Sequence, residues 1–119
     1  MKPFYVASKV KHAKFWRSVR AQGYPVISTW IDKVSEGRSN DFAELADRCI
    51  KEIKQSSFLL LKAGQGELLK GALIEAGAAL AFGIEVRCVG RCASLSKVFK
   101  SHPNWKQYPT VTDAIRDSK

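Results

Sequence analysis

The sequence predicts an α/β fold of three layers, with a doubly wound, mostly parallel sheet of four to five strands. Three observations carry this reading. Residues 57 to 61 (Ser-Phe-Leu-Leu-Leu) form an apolar run too short for a helix, the pattern of a central parallel strand covered on both faces. A further short strand is read over Ile84 to Val89, ending at Gly90-Arg91. Stretches with helical spacing alternate with these short runs along the whole chain, which argues for strand–helix units feeding a parallel sheet.

The elements follow in order. Residues 3 to 7 (Pro-Phe-Tyr-Val-Ala) read as a buried first strand, with Ser8 at its carboxyl end. From Val10 to Gln22, Ala13, Phe15, Trp16 and Val19 recur at helical spacing; Gly23 ends that helix and Pro25 blocks its continuation. Residues 25 to 29 (Pro-Val-Ile-Ser-Thr) read as a second short strand, and the polar stretch 33 to 40 as a loop over a site mouth. Asp41, with Glu44 three residues on, forms a capping pair for a helix burying Phe42, Leu45, Ala46, Cys49, Ile50 and Ile53. After the central strand, the loop Ala63-Gly64-Gln65-Gly66 leads into an apolar helix that Gly83 terminates. Thr110-Val111 reads as a last short strand, followed by a closing helix from Thr112 to Asp117.

At 119 residues the chain is one domain, spanning 1–119, with enough length for a real core. No apolar run is long enough to cross a bilayer, and the start lacks a signal peptide's apolar core and cleavage site. A cytoplasmic protein without membrane contact is the expectation. Three cysteines (Cys49, Cys88, Cys92) are an odd number without a framework, so reduced thiols are expected. Cys88-x-x-x-Cys92 lacks the tight ligand pattern of structural zinc sites, so neither a metal nor a cofactor is expected. The net charge of +9 is uneven: residues 1 to 31 carry six bases and no acid. That asymmetry points to an anionic partner, either a phosphorylated small molecule or, as the weaker alternative, nucleic acid. The aromatic-basic repeat and the helix-turn-helix signature of nucleic-acid binders are missing.

The apolar helix supplies the chemistry. Between Lys70 and Glu85 its one ionisable side chain is Glu75. A helix apolar on nearly all sides is expected to lie buried between layers. A lone carboxylate there needs either a structural partner such as an arginine or a pocket where it meets a substrate. Near the helix N-terminus, the helix dipole is expected to keep that carboxylate ionised. Ligands of open parallel sheets sit beyond the carboxyl ends of the strands, where Ser8, the Trp30–Asp32 segment, the Gly64–Gly66 loop and Arg91 would gather. Gly64-x-Gly66 has the placement to cradle a phosphate at the helix N-terminus, although Leu69 breaks the dinucleotide fingerprint and the P-loop ending is absent. Asp47 and Glu75, from different helices, form the carboxylate pair that glycosidic chemistry uses, with Tyr5 and Trp30 as aromatic neighbours.

Tyr5-Val6-Ala7-Ser8, an Asp on the helix before the central strand, and Leu73-Ile74-Glu75-Ala76-Gly77-Ala78-Ala79-Leu80 together resemble the nucleoside 2-deoxyribosyltransferase-like family of deoxyribosyltransferases and nucleotide N-glycosidases. The order of elements is similar over nearly the whole chain, through Phe99-x-x-His102-Pro103 to a short C-terminal helix. The resemblance implies a Rossmann- or flavodoxin-like fold and cleavage or transfer at an N-glycosidic bond. Glu75 would then be the nucleophile, Asp47 the residue that orients the sugar or assists proton transfer, and Tyr5 the residue positioning the nucleophile. Ser8 would lie near a 5′ hydroxyl or phosphate, and Trp30 beside the base. The loop Gly66-Glu67-Leu68-Leu69-Lys70-Gly71 departs from the Asp or Ser groups of relatives, and Lys70 with Lys9 or Arg91 would favour a phosphorylated substrate. A homodimer or larger assembly is also implied. The alternative is a non-catalytic nucleotide-binding module of the same fold.

Overall fold

The structure, a computed structural model, describes residues 1–35, 42–92 and 97–117. Strands β1 (Tyr5–Ala7), β2 (Phe58–Lys62), β3 (Glu85–Val89) and β4 (Trp105–Tyr108) lie side by side in that order, and every pairing is parallel. Helices α1 (Ala13–Ala21), α2 (Trp30–Ser35), α3 (Phe42–Lys54), α4 (Gly71–Ala81), α5 (Lys97–Lys100) and α6 (Val111–Arg116) connect them, and a 3₁₀ turn at Val10–His12 opens α1. Register places Tyr5 beside Leu59, and Leu60 beside Arg87. Neighbouring strand residues point to opposite faces, so Tyr5 and Arg87 do too. Tyr5 meets Glu75 of α4, whereas Arg87 donates to the Ala114 carbonyl of α6 at 2.6 Å. Helices therefore cover both faces of the sheet, giving the three-layer α/β architecture of Rossmann- or flavodoxin-like type.

The expected second strand is reduced to a single bridge between Phe4 and Val26, outside β1. The ladder starts normally: the Phe4 N–H donates to the Pro25 carbonyl (3.0 Å) and the Ile27 N–H to the Phe4 carbonyl (2.9 Å). Side chains then take over. Ser28 Oγ accepts from the Val6 N–H (2.8 Å), and the Trp30 indole N–H donates to the Val6 carbonyl (2.8 Å). The backbone is thus freed to turn into α2 while β1 keeps its partners. With this remnant on one side of β1 and β2 on the other, consecutive connections run in opposite directions from β1. The carboxyl end of β1 is the switch point where such sheets open a crevice.

Two other elements differ from expectation. The last strand is Trp105–Tyr108 rather than Thr110-Val111; Thr110 instead caps α6, its hydroxyl accepting from the Asp113 N–H at 3.1 Å. Helix α2 extends to Ser35 through the start of the expected mouth loop, whose remainder, with the Asp41 cap, lies outside the described residues. Helix α4 is not buried between layers. Ala72, Ala76 and Ala79 face the sheet, but Ile74 is 72% exposed and Gly77 is exposed as well. Small residues on its inner side let α4 settle on one face of the sheet, and its apolar outer side remains uncovered in the single chain.

The core is continuous across the sheet: β1 is wholly buried, as are Leu59, Leu60 and Leu61 of β2. Gly90 closes the carboxyl end of β3 with φ +94°, and a Cβ there would lie 2.0 Å from the Ala63 carbonyl oxygen. That contact fixes the ends of β2 and β3 close together, and no larger residue fits without moving backbone. Among the described residues, no helix is long and apolar enough to cross a membrane.

Candidate active site

A cavity of about 550 Å³ opens at the carboxyl end of β1, within the size range of small-molecule sites. Its walls come from four places. The segment leaving β1 supplies Ser8, Lys9 and Val10; α2 supplies Trp30 and Lys33. Helix α3 gives Phe42, Leu45 and Cys49, and the start of α4 gives Lys70, Gly71, Ala72 and Glu75, with Leu69 just before it.

Glu75 is the one acid among the described lining residues, and it is half-buried. The Tyr5 hydroxyl, from the first residue of β1, donates to its carboxylate, and Cys49 of α3 lines the same cavity. No lysine or arginine among the described residues pairs with it. Burial pushes the Glu75 carboxyl up to about 7, and the nearby Glu52 charge adds to the rise, while Tyr5 and Cys49 hold it down. Burial thus outweighs the helix dipole, and Glu75 titrates near neutrality instead of staying fully ionised. The Tyr5 hydroxyl, buried and beside that carboxylate, is pushed far above its ordinary value and stays a donor.

The other lining groups are held in place. Ser8 Oγ accepts from the Trp16 indole N–H (2.8 Å) and donates to the Lys9 carbonyl (3.2 Å). The Trp30 ring is fixed by its bond to Val6, so it forms a rigid wall. Lys9 and Lys70 line the cavity together with Glu75, which suits an anionic ligand.

Of the residues singled out from sequence, Tyr5 and Glu75 meet, and Ser8, Lys9, Trp30, Lys70 and Gly71 line the same cavity. Asp47, Gly64 and Gly66 do not. Asp47 is exposed on α3 and paired with Lys51 at 2.8 Å. The Gly64 N–H donates to Glu67 Oε1 (2.8 Å), so a carboxylate of the chain itself occupies the place proposed for a phosphate. Glu67 Oε2 also meets His12 Nε2 (2.7 Å) and Lys11 Nζ (3.2 Å), tying the 3₁₀ turn to the glycine loop. Against the upward push of burial, His12, Gly64 and Lys11 hold the Glu67 carboxyl down at about 2. Arg91 is exposed and outside the cavity lining.

Phe42, Leu45 and Cys49 line the cavity, although the sequence pattern places them only in the core. Helical geometry offered the signal: Leu45 and Cys49 are four residues apart and share a face, whereas Asp47 lies about 200° around the helix from Cys49. Compared with known protein-family models and with curated proteins, the chain matches none of them.

The two carboxylates give opposite stability signatures. Glu67 titrates lower in the folded chain than its ordinary 4.5, so its stabilisation is complete above that value and is lost as pH falls towards 2. In denaturant melts, Glu67→Gln is expected to be less stable than the wild type at pH 7 and to converge with it near pH 2. Glu75 titrates higher folded than unfolded, so its penalty is absent below pH 4.5 and fully developed above 7. Glu75→Gln is expected to gain up to roughly 3 kcal/mol at pH 8 and nothing at pH 4 in the same measurement.

Proposed function

We propose that this chain cleaves or transfers the N-glycosidic bond of a nucleoside or nucleoside monophosphate, with Glu75 as the nucleophile. The observation that carries the reading is a carboxylate with no basic partner among the described residues, aimed by Tyr5 into an open cavity at the sheet's switch point. A carboxylate of this kind attacks the anomeric carbon as the bond to the base breaks. The electron pair leaves with the base nitrogen, which takes up a proton from solvent in the open cavity. Water, or the nitrogen of a second base, then displaces the carboxylate and gives up a proton. Lys9 and Lys70 supply the positive field for a 5′ phosphate, and Trp30 and Phe42 supply flat walls for the base. The reaction needs Glu75 ionised, so activity rises with pH through about 7.

One observation favours the second reading, a nucleotide-binding module without turnover. Asp47, the residue implied as the proton handler, stands outside the cavity in an exposed pair with Lys51. Incubation with a panel of nucleosides, deoxynucleosides and their monophosphates, read by chromatography of free base, separates the two. Base release that rises with pH through about 7 and falls by roughly 10³-fold or more in Glu75→Gln supports the enzyme. Tight binding without release assigns the chain to the second reading.

A second copy of the chain is the partner this reading includes. The outer side of α4 sets the large, 72% exposed Ile74 beside Gly71 and Gly77, a ridge next to a groove on one surface. Such a surface is self-complementary under two-fold symmetry, and its lack of charge fits neither a polyanion nor plain solvation. Sedimentation equilibrium is expected to give twice the 13.2 kDa chain mass, and Ile74→Asp to give the single chain.

A further inference from the structure

Glu67 has three partners that the reaction assigned to Glu75 does not use. Its carboxylate accepts from the Gly64 N–H (2.8 Å) and from His12 Nε2 (2.7 Å), with Lys11 Nζ at 3.2 Å. A carboxylate only accepts, so His12 carries a proton on Nε2. The glycine is part of the fit: a Cβ on Gly64 would lie 2.6 Å from the Glu67 carboxyl carbon, so the group rests directly on the loop backbone. The Glu67 side chain is 8% exposed, whereas Lys11 is 69% exposed and makes the weakest of the three contacts. His12, Gly64 and Glu67 therefore form the body of a clasp.

The clasp joins two segments that each carry a lysine of the cavity wall. Lys9 stands three residues before His12, and its carbonyl accepts from the His12 N–H (3.0 Å), closing the 3₁₀ turn. Lys70 stands three residues after Glu67, with the buried Leu69 between them, and its carbonyl accepts from the Leu73 N–H (3.0 Å) to start α4. Short, tied links thus carry the clasp's geometry to both lysines. Among the described residues neither Lys9 nor Lys70 is in an ion pair, so both ammonium groups are open to a ligand. We propose that the Glu67–His12 clasp determines specificity for a 5′ phosphate, by holding the Lys9 and Lys70 walls where both ammonium groups reach one anion. Glu67 and His12 act through the lysines, so they are positioning residues, and the role rests on the reading of the cavity as a nucleotide site. Two long, flexible cations brought together in advance bind a phosphate better than two that must first be gathered. A nucleoside, lacking the phosphate, gains nothing from the same arrangement.

The test is calorimetric titration of the full-length chain with the four deoxynucleosides and their 5′ monophosphates, in a Glu75→Gln parent so that no turnover intervenes. Circular dichroism verifies the fold of each further variant. The parent is expected to prefer monophosphate over nucleoside. Glu67→Ala and His12→Ala are each expected to cut that preference by roughly 10-fold, through weaker monophosphate binding. His12→Gln, whose amide N–H reaches the same place, is expected to keep most of it. The sign separates the clasp from simple charge, because removing an acid near the site would by itself strengthen anion binding. A preference that stays or grows in folded Glu67→Ala and His12→Ala, or affinities for nucleoside and monophosphate that fall together, overturns the clasp's role and leaves the nucleotide reading standing. A parent that binds both ligands alike overturns the phosphate preference, and one that binds neither overturns the nucleotide reading itself.

Discussion

The hydrogen bond between Tyr5 and Glu75 joins the first strand to the helix that follows the central one. It links two segments seventy residues apart. Tyr5 is wholly buried in β1, so its hydroxyl is placed by the sheet rather than by its own flexibility. Glu75 lies in the second turn of α4, close to the cavity floor. The partnership tolerates burial of a carboxylate because a phenol hydroxyl satisfies it without neutralising it. An arginine in its place would have held the group ionised and quiet. A neutral donor leaves it near its balance point and available.

A second carboxylate a short way upstream makes the contrast physical. Glu67 and Glu75 belong to the same loop-and-helix unit, yet one is depressed and the other raised. Glu67 has a backbone N–H, a histidine and a lysine around it. Glu75 has burial, a like charge and the neutral Tyr5 hydroxyl as its donor. The first is a fastening that holds the glycine loop against the turn before α1. The second is a group whose proton is easily exchanged. Environments that push two like groups apart in this way separate structural from chemical work.

The sheet and most helices were legible because apolar period and length are strong signals. Phe58–Lys62 is a near-continuous apolar run, and Gly23 and Gly83 sit at positive φ where the helices end. Glu75 stood out as a lone acid in an apolar helix. What was hidden depended on three-dimensional bookkeeping that spacing does not encode. The second strand fails because Ser28 and Trp30 replace backbone partners, which its β-prone composition cannot reveal. Gly64 and Gly66 have the form of a phosphate loop, but Glu67 already occupies the Gly64 donor. Asp47 attracted notice for its acid group, whereas helix phase turns Cys49 inward. The exposed side of α4 was misjudged because composition alone does not say how many faces a helix has covered.

The way β1 ends its ladder bears on how copies of this chain approach one another. On its outer side, Val6 has both backbone groups engaged by the side chains of Ser28 and Trp30. That margin offers no free row of amides to an incoming strand, so it resists edge-to-edge growth and the aggregation that such growth seeds. Association through that margin would require breaking two buried bonds first, and contact is left to helix surfaces, where side chains rather than the main chain decide who fits.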